Sequence, residues 1–356
     1  MESRILLLGA QSPKACIVAR YMRSKFPNAE VIGISEKRMF RVFHSKYFTS
    51  VYTVGNASTQ LTKLFSDLEA GCSQGFIIPV TSRWARRMCG FNRESFSSLQ
   101  LLQGADSHFE SLDNKLVFKE YCLGKFKVPK RFSHLPVADS KYVVKPRIGS
   151  GSKGVKYLDS ALPGDRAVLE EKLCSNDFIV EEFVKGVGVG IGGFVKSGKV
   201  INFSSHQRLL EWPPSGGSSA YRRFFQSEEL ESIFEKVARD FDWSGFLMIE
   251  AKLTPLGDIY LIEANPRIWG GVHQIMLSTN LPEQLSCLFS GAPVPARAVM
   301  QGSNTFSNPL AFLSVIRSSL TRTNSGRSSF FSDKDKVPDV SMFKDPGGWI
   351  AQFLGT

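Results

Sequence analysis

Two stretches in the second half of the chain carry carboxylates inside an otherwise apolar pattern: Gly245-Phe-Leu-Met-Ile-Glu250-Ala-Lys252 and Gly257-Asp-Ile-Tyr-Leu-Ile-Glu263-Ala-Asn265-Pro-Arg267. Between them, Thr254-Pro255-Leu256-Gly257 has turn chemistry, with Pro at the second position and Gly at the fourth. In a hairpin symmetric about Leu256-Gly257, facing residue numbers sum to 513, which sets Glu250 opposite Glu263. The period-two alternation of a strand adds Asn265 to that face, and a loop two residues longer or shorter leaves the face unchanged. Two carboxylates facing across a ladder repel, and burying them is costly; a bound cation relieves both penalties. The oxygen-only set Glu250, Glu263 and Asn265 suits Mg²⁺ or Mn²⁺, not zinc, and so few protein ligands leave coordination positions for nucleotide phosphates. The alternative is a pair of solvent-facing glutamates on an edge hairpin, but Met248, Ile249, Leu261 and Ile262 argue for a buried sheet.

A second constellation is Gly149-Ser150-Gly151-Ser152-Lys153-Gly154. It matches G-x-G-x-x-G, yet the strand-like Val155-Lys-Tyr-Leu158 follows it where a dinucleotide site needs a helix N-terminus. A Walker loop is excluded because Lys153 precedes Gly154, with no Ser or Thr behind a Gly-Lys pair. Strand, glycine loop, strand is the form of a flap that lays backbone N–H groups over a triphosphate. Lys145 and Arg147 at the end of the preceding strand, and Lys115 at the head of an upstream helix, are phosphate-binding types that converge on it. Taken alone the loop reads equally as a mobile turn, and the absence of H-R-D and D-F-G argues against a protein kinase.

These residues need a scaffold, and 356 residues allow two or three folded units. Apolar residues at 42% and charged residues at 22% indicate a globular protein. Residues 4 to 34 read as a βαβ unit, strand Ile5 to Leu8, helix from Ser12-Pro13, strand Val31 to Ile34, and a further buried strand spans Gly75 to Val80. The first hundred residues thus form an open parallel α/β sheet; with only Gly9 in its first turn, it is a structural or substrate-side unit rather than a dinucleotide site. From Asp113 come a helix (Lys115 to Leu123), strands at Tyr142 to Pro146 and Val155 to Leu158, a strand, loop and long glycine-dotted strand over 178 to 204, and the carboxylate hairpin. Residues 302 to 340, rich in Ser, Arg, Lys and Asn, are expected as a loose appendage or partner surface. In the run from Gly186 to Gly193, Val187, Val189 and Ile191 share one face and glycines the other, which fits close approach of a ligand or plain packing.

The 44 Lys and Arg exceed the 33 Asp and Glu by 11, a surplus to be matched by phosphate, nucleic acid, an anionic surface or counterions. No apolar run approaches the roughly 18 to 20 residues of a membrane span, and Ile5 to Leu8 is too short for a signal-peptide core, so the expected location is cytoplasmic. The six cysteines form no C-x-x-C pair and read as reduced, and no H-E-x-x-H suggests a metallohydrolase.

Together, Lys145 in Val-Val-Lys-Pro, the glycine flap, Val180-Glu-Glu-Phe-Val-Lys-Gly186 and the Glu250…Glu263-Ala-Asn-Pro-Arg267 ending resemble the ATP-grasp superfamily over residues 105 to 290. The chain is similar to carbamoyl-phosphate-synthase-like members. It implies an N-terminal parallel α/β, Rossmann-like pre-ATP-grasp domain (1–105) followed by a two-subdomain α+β ATP-grasp fold. That fold has a small lid subdomain with the flap (106–184) and a core subdomain with the Mg²⁺ site (185–295), and an appendage (296–356) follows. It further implies ATP and two Mg²⁺ or Mn²⁺ ions. Lys115 and Lys145 would hold phosphates beneath the flap of Gly149, Ser150, Gly151, Ser152, Lys153 and Gly154. Glu181 and the backbone of Glu182, Phe183 and Val184 would face adenine, and Glu250, Glu263 and Asn265 would hold the metal. Many members carry an acidic ribose ligand where this chain has Gly188.

Arg208, ahead of a Pro/Gly/Ser loop hinged at Gly216-Gly217, is placed to stabilise a transferring phosphoryl group, and Arg267 to bind a carboxylate or acyl phosphate as a fork. His206 reads as catalytic or structural. The expected activity is an ATP-dependent carboxylate–amine or carboxylate–thiol ligase that passes through an acyl phosphate, releases ADP and phosphate and forms a carbon–nitrogen bond. Its partners would be small-molecule carboxylates and amines, with no membrane and a homo-oligomer open to it. A small-molecule kinase using the same ATP site is the alternative. A basic nucleic-acid-binding protein is disfavoured by the lack of an RNA-binding or zinc-finger signature.

Overall fold

The computed structural model describes residues 2–37, 45–136, 139–212, 217–300, 302–307, 311, 313, 316, 327–341 and 344–354. Its first sheet joins β1 (Glu2–Leu8), β2 (Glu30–Ser35), β3 (Ser50–Thr53), β4 (Cys72–Pro79) and β5 (Leu99–Leu101) in the order β3-β2-β1-β4-β5, every pair parallel. Its central strands read as continuous apolar runs because both faces are covered. Ile5, Leu7, Phe76 and Ile78 pack on α1 (Pro13–Lys25), whereas Leu6, Leu8 and Ile77 pack on α2 (Ser58–Glu69) and on α3 (Ser82–Arg87) through Leu61, Phe65 and Trp84. Pro13 opens α1 behind Ser12, as expected, and Gly9 turns the chain out of β1 at φ +107° while its N–H donates to Ile34 O.

Helices α4 (Asp106–Asp113) and α5 (Lys115–Cys122) lead to a four-stranded antiparallel sheet, β6 (Arg131–Phe132), β7 (Lys141–Pro146), β8 (Lys156–Asp159) and β9 (Phe178–Glu182), ordered β6-β9-β7-β8. One face is covered by α6 (Pro163–Leu173), through Leu169 against Tyr142, Val144 and Val180. The third sheet takes β10 (Val187–Lys196), β11 (Lys199–Trp212), β12 (Ser218–Phe225), β13 (Gly245–Leu253), β14 (Ile259–Asn265), β15 (Thr305–Phe306) and β16 (Val337–Pro338), ordered β14-β13-β10-β11-β12-β15-β16. On one face Val189, Ile191, Leu247 and Ile249 meet Leu230, Phe234 and Val237 of α7 (Glu228–Asp240). On the other, Phe194, Phe246 and Met248 share a core with the first sheet and with α8 (Val272–Ser278) and α9 (Leu281–Ser290). Gly190 and Gly192 of β10 lie on this second face, where Trp269 covers Gly192, and His206 and Met248 close over Gly190; packing accounts for these two, and for Gly193 against Phe203 on the first face.

The C-terminal segment differs from a loose appendage. Strands β15 and β16 extend the third sheet, and Asp339 forms a bidentate pair with Arg222 at 2.5 and 2.6 Å, both side chains buried. A guanidinium buried on β12 needs a counter-charge, and the tail supplies it. Tyr221 Oη donates to Asp333 at 2.6 Å and Ser45 Oγ to Asp345 at 2.5 Å, so both ends of this segment are fastened to earlier parts of the chain. All six cysteines are free, and no helix among the described residues is long and apolar enough to cross a membrane.

Candidate active site

The carboxylate face is built by a turn and a bulge that offset each other. Gly257 N–H donates to Thr254 O at 3.0 Å, with Gly257 at φ +90°, so the turn residues fall as expected. Next to the turn the pairs are Leu253–Ile259, Lys252–Tyr260 and Ala251–Leu261, one residue off the symmetric register. A bulge then leaves Ile262 unpaired, and the expected pairs follow: Glu250–Glu263, Ile249–Ala264 and Met248–Asn265. Without that extra residue Glu250 would face Ile262, and Glu263 would project from the opposite side of the sheet. The bulge therefore brings the two glutamates to one face, and its freed carbonyl, Ile262 O, accepts from Lys145 Nζ at 3.1 Å.

Cations surround this pair. Lys115, in the first turn of α5 behind the Asn114 cap, lies 3.2 Å from Glu263 Oε2 and donates to Gly149 O of the flap at 2.9 Å. Arg208 Nη2 contacts Glu250 Oε2, and Arg208 Nη1 is 3.6 Å from Glu211 Oε1. Asn265 Nδ2 donates to Glu263 Oε1 at 3.1 Å, and its Oδ1 accepts from Arg267 Nη2 at 2.6 Å. The Glu250 and Glu263 side chains retain 23% and 16% exposure, and both line one cleft. Burial raises the Glu250 carboxyl above its ordinary range against the pull of Arg208, with Glu263 adding to the rise. Burial also presses on Glu263, but the charges of Lys115 and Lys145 outweigh it and hold that carboxyl below its ordinary value. The two groups are thus driven in opposite directions. Among the described residues no three His, Cys, Asp or Glu side chains cluster; the oxygen set here is two carboxylates and an amide.

At the other end of the cleft, Lys145 Nζ lies 2.7 Å from Glu181 Oε2, and Lys119 Nζ contacts Glu181 Oε1. Glu181 was expected to face a base; its carboxylate instead sits between two ammonium groups, 2% exposed, because two buried lysines need a counter-charge. Lys119 also donates to Pro129 O at 2.6 Å, and burial pushes its ammonium down to about 8 despite Glu181. The N–H groups of Glu182 and Phe183 already donate to Lys130 O (2.9 Å) and Lys141 O (3.1 Å), whereas Val184 N–H has no partner among the described residues. Phe183 and Tyr157 meet edge to face at 5.9 Å and, with Val143, Pro129 and Ile262, give this end apolar walls.

Lys115, Lys145, Gly149, Ser150, Ser152, Lys153, Glu181, Glu182, Phe183, Val184, Arg208, Glu250 and Glu263 all line one cleft. Gly151 and Gly154 supply the left-handed turns of the flap, φ +68° and +78°, while Asn265 and Arg267 lie buried behind Glu263, Arg267 Nε touching Ser82 Oγ of the first sheet's α3. A Cβ on Gly188 would stand 2.7 Å from Glu211 Oε1 and 2.8 Å from Arg208 Cδ, so the acidic group at that place comes from β11 as Glu211. His206 is 2% exposed, and burial, with Arg208 and Arg222 nearby, keeps its imidazole neutral. The proposed hinge at Gly216-Gly217 falls partly outside the described residues, which resume at Gly217.

Lys119 and Glu211 were not singled out in the sequence. Lys119 stands one helical turn beyond Lys115, so its spacing alone places both lysines on one face of α5.

The ATP-grasp domain family model matches residues 112–271. The biotin carboxylase domain of Hydrogenobacter thermophilus 2-oxoglutarate carboxylase, solved with MgADP, ADP and bicarbonate, is similar in fold, with TM-score 0.62 and 14% identity over 84% of this chain and 72% of that one. An N5-carboxyaminoimidazole synthetase from Staphylococcus aureus with ADP gives TM-score 0.61 and 10% identity over 85% and 82% of the two chains. L-amino acid ligase from Bacillus licheniformis gives 0.58 and 15% over 80% and 74%. No curated protein sequence matches this chain. That model spans the carboxylate hairpin, the flap and the lysines, so residues 112–271 match the ATP-grasp domain family, and the chain shares its fold with these structures.

Proposed function

We propose that this protein is a cytoplasmic ATP-dependent ligase that joins a small-molecule carboxylate to an amine through an acyl phosphate. One observation carries the reading: Glu250 and Glu263 face each other on the wall of a cleft that Lys115, Lys145, Lys153 and Arg208 also line. The donor set fits a divalent cation, since two cross-strand carboxylates beside an amide offer oxygen ligands, the kind a hard ion takes. Glu250, Glu263 and Asn265 would hold Mg²⁺, which when bound offsets charge on the nucleotide's β- and γ-phosphates.

The apolar slot between Tyr157, Phe183 and Ile262 takes the base, with Val184 N–H available to a ring nitrogen. Glu211 stands where a ribose hydroxyl would be met. Lys145 and Lys115 reach the phosphates from opposite sides, and Lys115, held to Gly149 O, draws the flap down over them. The acceptor carboxylate oxygen attacks the γ-phosphorus and ADP leaves. Arg208, poised on Glu250, meets the charge spread over the transferring phosphoryl group. The amine nitrogen then attacks the acyl carbon, phosphate departs with the carboxylate oxygen, and the amine proton passes to solvent. Arg267 fixes Asn265, and so Glu263, while its position against Ser82 turns it toward the first sheet, where the acceptor would enter. The bicarbonate and ADP bound in the carboxylase relative, and the ligase name of another, agree with this chemistry.

The test is a matrix of carboxylates against amines, scored for ADP release that requires both. Condensed product with stoichiometric ADP and phosphate is expected; a stable phosphorylated alcohol, formed without an amine, overturns the ligase reading.

A further inference from the structure

A second cavity, of about 520 Å³, lies away from the cleft, where α1, α8 and the C-terminal segment meet. Arg20, Arg23 and Lys344 line it with Tyr21, Tyr47 and His273, and no Asp or Glu is among its described lining residues. These first-sheet cations have no part in the proposed ligase chemistry. Arg20 is stacked on Tyr21 at 4.9 Å, and Arg23 is fixed by one bond from Nη1 to Ala29 O at 2.9 Å, which leaves its other N–H groups for the cavity. The wall opposite is His273, 1% exposed. Its Nδ1 faces Asp339 Oδ1 at 3.5 Å, and Asp339 is in turn locked by the two bonds from Arg222. Nδ1 makes no hydrogen bond but is the ring nitrogen beside a carboxylate, so the proton of the neutral ring belongs there and the Nε2 lone pair is left for the cavity that His273 lines. Burial holds the imidazole below its ordinary value, so it stays neutral at pH 7.

We propose that this cavity binds inorganic phosphate in its monohydrogen form. Two guanidinium groups and an ammonium match its two negative charges, and the Nε2 lone pair of His273 accepts its one remaining O–H. That acceptor gives the site its discrimination. Sulfate has the same shape and charge but no proton to donate, and it would oppose a lone pair with an oxygen lone pair, an uncompensated buried acceptor. A carboxylate brings a single charge to three cations. The site would therefore sense a product of ATP-dependent chemistry at a place physically joined to the cleft, since α8 follows directly on the Asn265–Arg267 segment. The binding claim itself does not depend on what reaction the cleft performs.

The experiment follows the His273 imidazole ¹⁵N signals in the full-length protein while inorganic phosphate, sulfate or acetate is added, with MgADP present at saturation to fill the cleft. Phosphate is expected to move the His273 signals in a saturable manner, and sulfate to bind at least tenfold more weakly, the equivalent of one lost hydrogen bond in a buried site. Arg20→Ala and Lys344→Ala should each weaken phosphate about tenfold with the His273 signals at rest unchanged; Lys344 is exposed, so its removal leaves the fold intact. Equal affinity for sulfate and phosphate, no response at His273, or unchanged phosphate affinity in Lys344→Ala would each overturn the proposal.

Discussion

Glu181 is the point where one side chain's removal discriminates most sharply between accounts of the site. Its carboxylate is 2% exposed and stands between Lys119 and Lys145, themselves 5% and 4% exposed. Taking away either lysine leaves a neutral buried pair; taking away Glu181 leaves two ammonium groups facing each other with nothing between. Loss of one partner from a buried ion pair costs about 3–5 kcal/mol, whereas loss of one of two hydrogen-bonded cations costs about 1–2 kcal/mol. At about 2 °C per kcal/mol for a chain of this size, Glu181→Gln should lower the melting midpoint by about 6–10 °C and Lys119→Met by only about 2–4 °C. The pH dependence adds a second readout. Lys119 sits near 8 when folded against 10.5 unfolded, so between those values the unfolded chain holds the extra proton, and stability rises with pH across that window. In Lys119→Met the rise should be absent, and in Glu181→Gln it should begin at lower pH. Thermal melts from pH 7 to 10.5 measure all three proteins. A Glu181→Gln protein as stable as Lys119→Met at pH 7.5 would refute the reasoning.

Three further outcomes are expected. Glu263→Gln should reduce Mg²⁺-dependent ATP turnover about a hundredfold or more with unchanged circular dichroism, because one of the two facing carboxylates is lost. Asp339→Asn should cost about 3–5 kcal/mol in urea unfolding at pH 7 by leaving Arg222 buried without a counter-charge. In the parent, burial raises Asp339 but Arg222 and His273 hold it below the usual carboxylate range, so this stabilisation is complete above about pH 4 and fades as pH falls through the folded value; the variant should lack that fall. Gly188→Ala sets a methyl group 2.8 Å from Arg208 Cδ and should displace Arg208 from Glu250, lowering turnover about tenfold while the melting midpoint moves by no more than a few degrees.

Period-two patterning and turn chemistry made the carboxylate hairpin legible, because both act over a few residues. The symmetric register was right at the glutamates only because a five-residue turn and a bulge at Ile262 shift it in opposite directions, and neither leaves a mark in composition. The parallel first sheet was readable for a related reason: strands buried on both faces have to be unbroken apolar runs. Glu181 shows the limit. Its strand was clear, but its carboxylate's partner Lys119 lies on a helix 62 residues earlier, and only the tertiary fold brings the two side chains together. Glu211 and Gly188 are likewise a cross-strand exchange, in which a neighbouring strand supplies the acid that one position lacks. The tail misled because its polar composition hides Asp339 and Asp345, whose role is to neutralise and fasten groups placed by distant segments.

The central claim is that the cleft activates a carboxylate by phosphorylating it. Once the substrate matrix yields an active pair, the carboxylate is prepared with ¹⁸O in both oxygens, and the phosphate released in a single turnover is weighed by mass spectrometry. Transfer of one ¹⁸O from carboxylate to phosphate is the result the account requires; phosphate free of label, with product formed and ADP released, would contradict it.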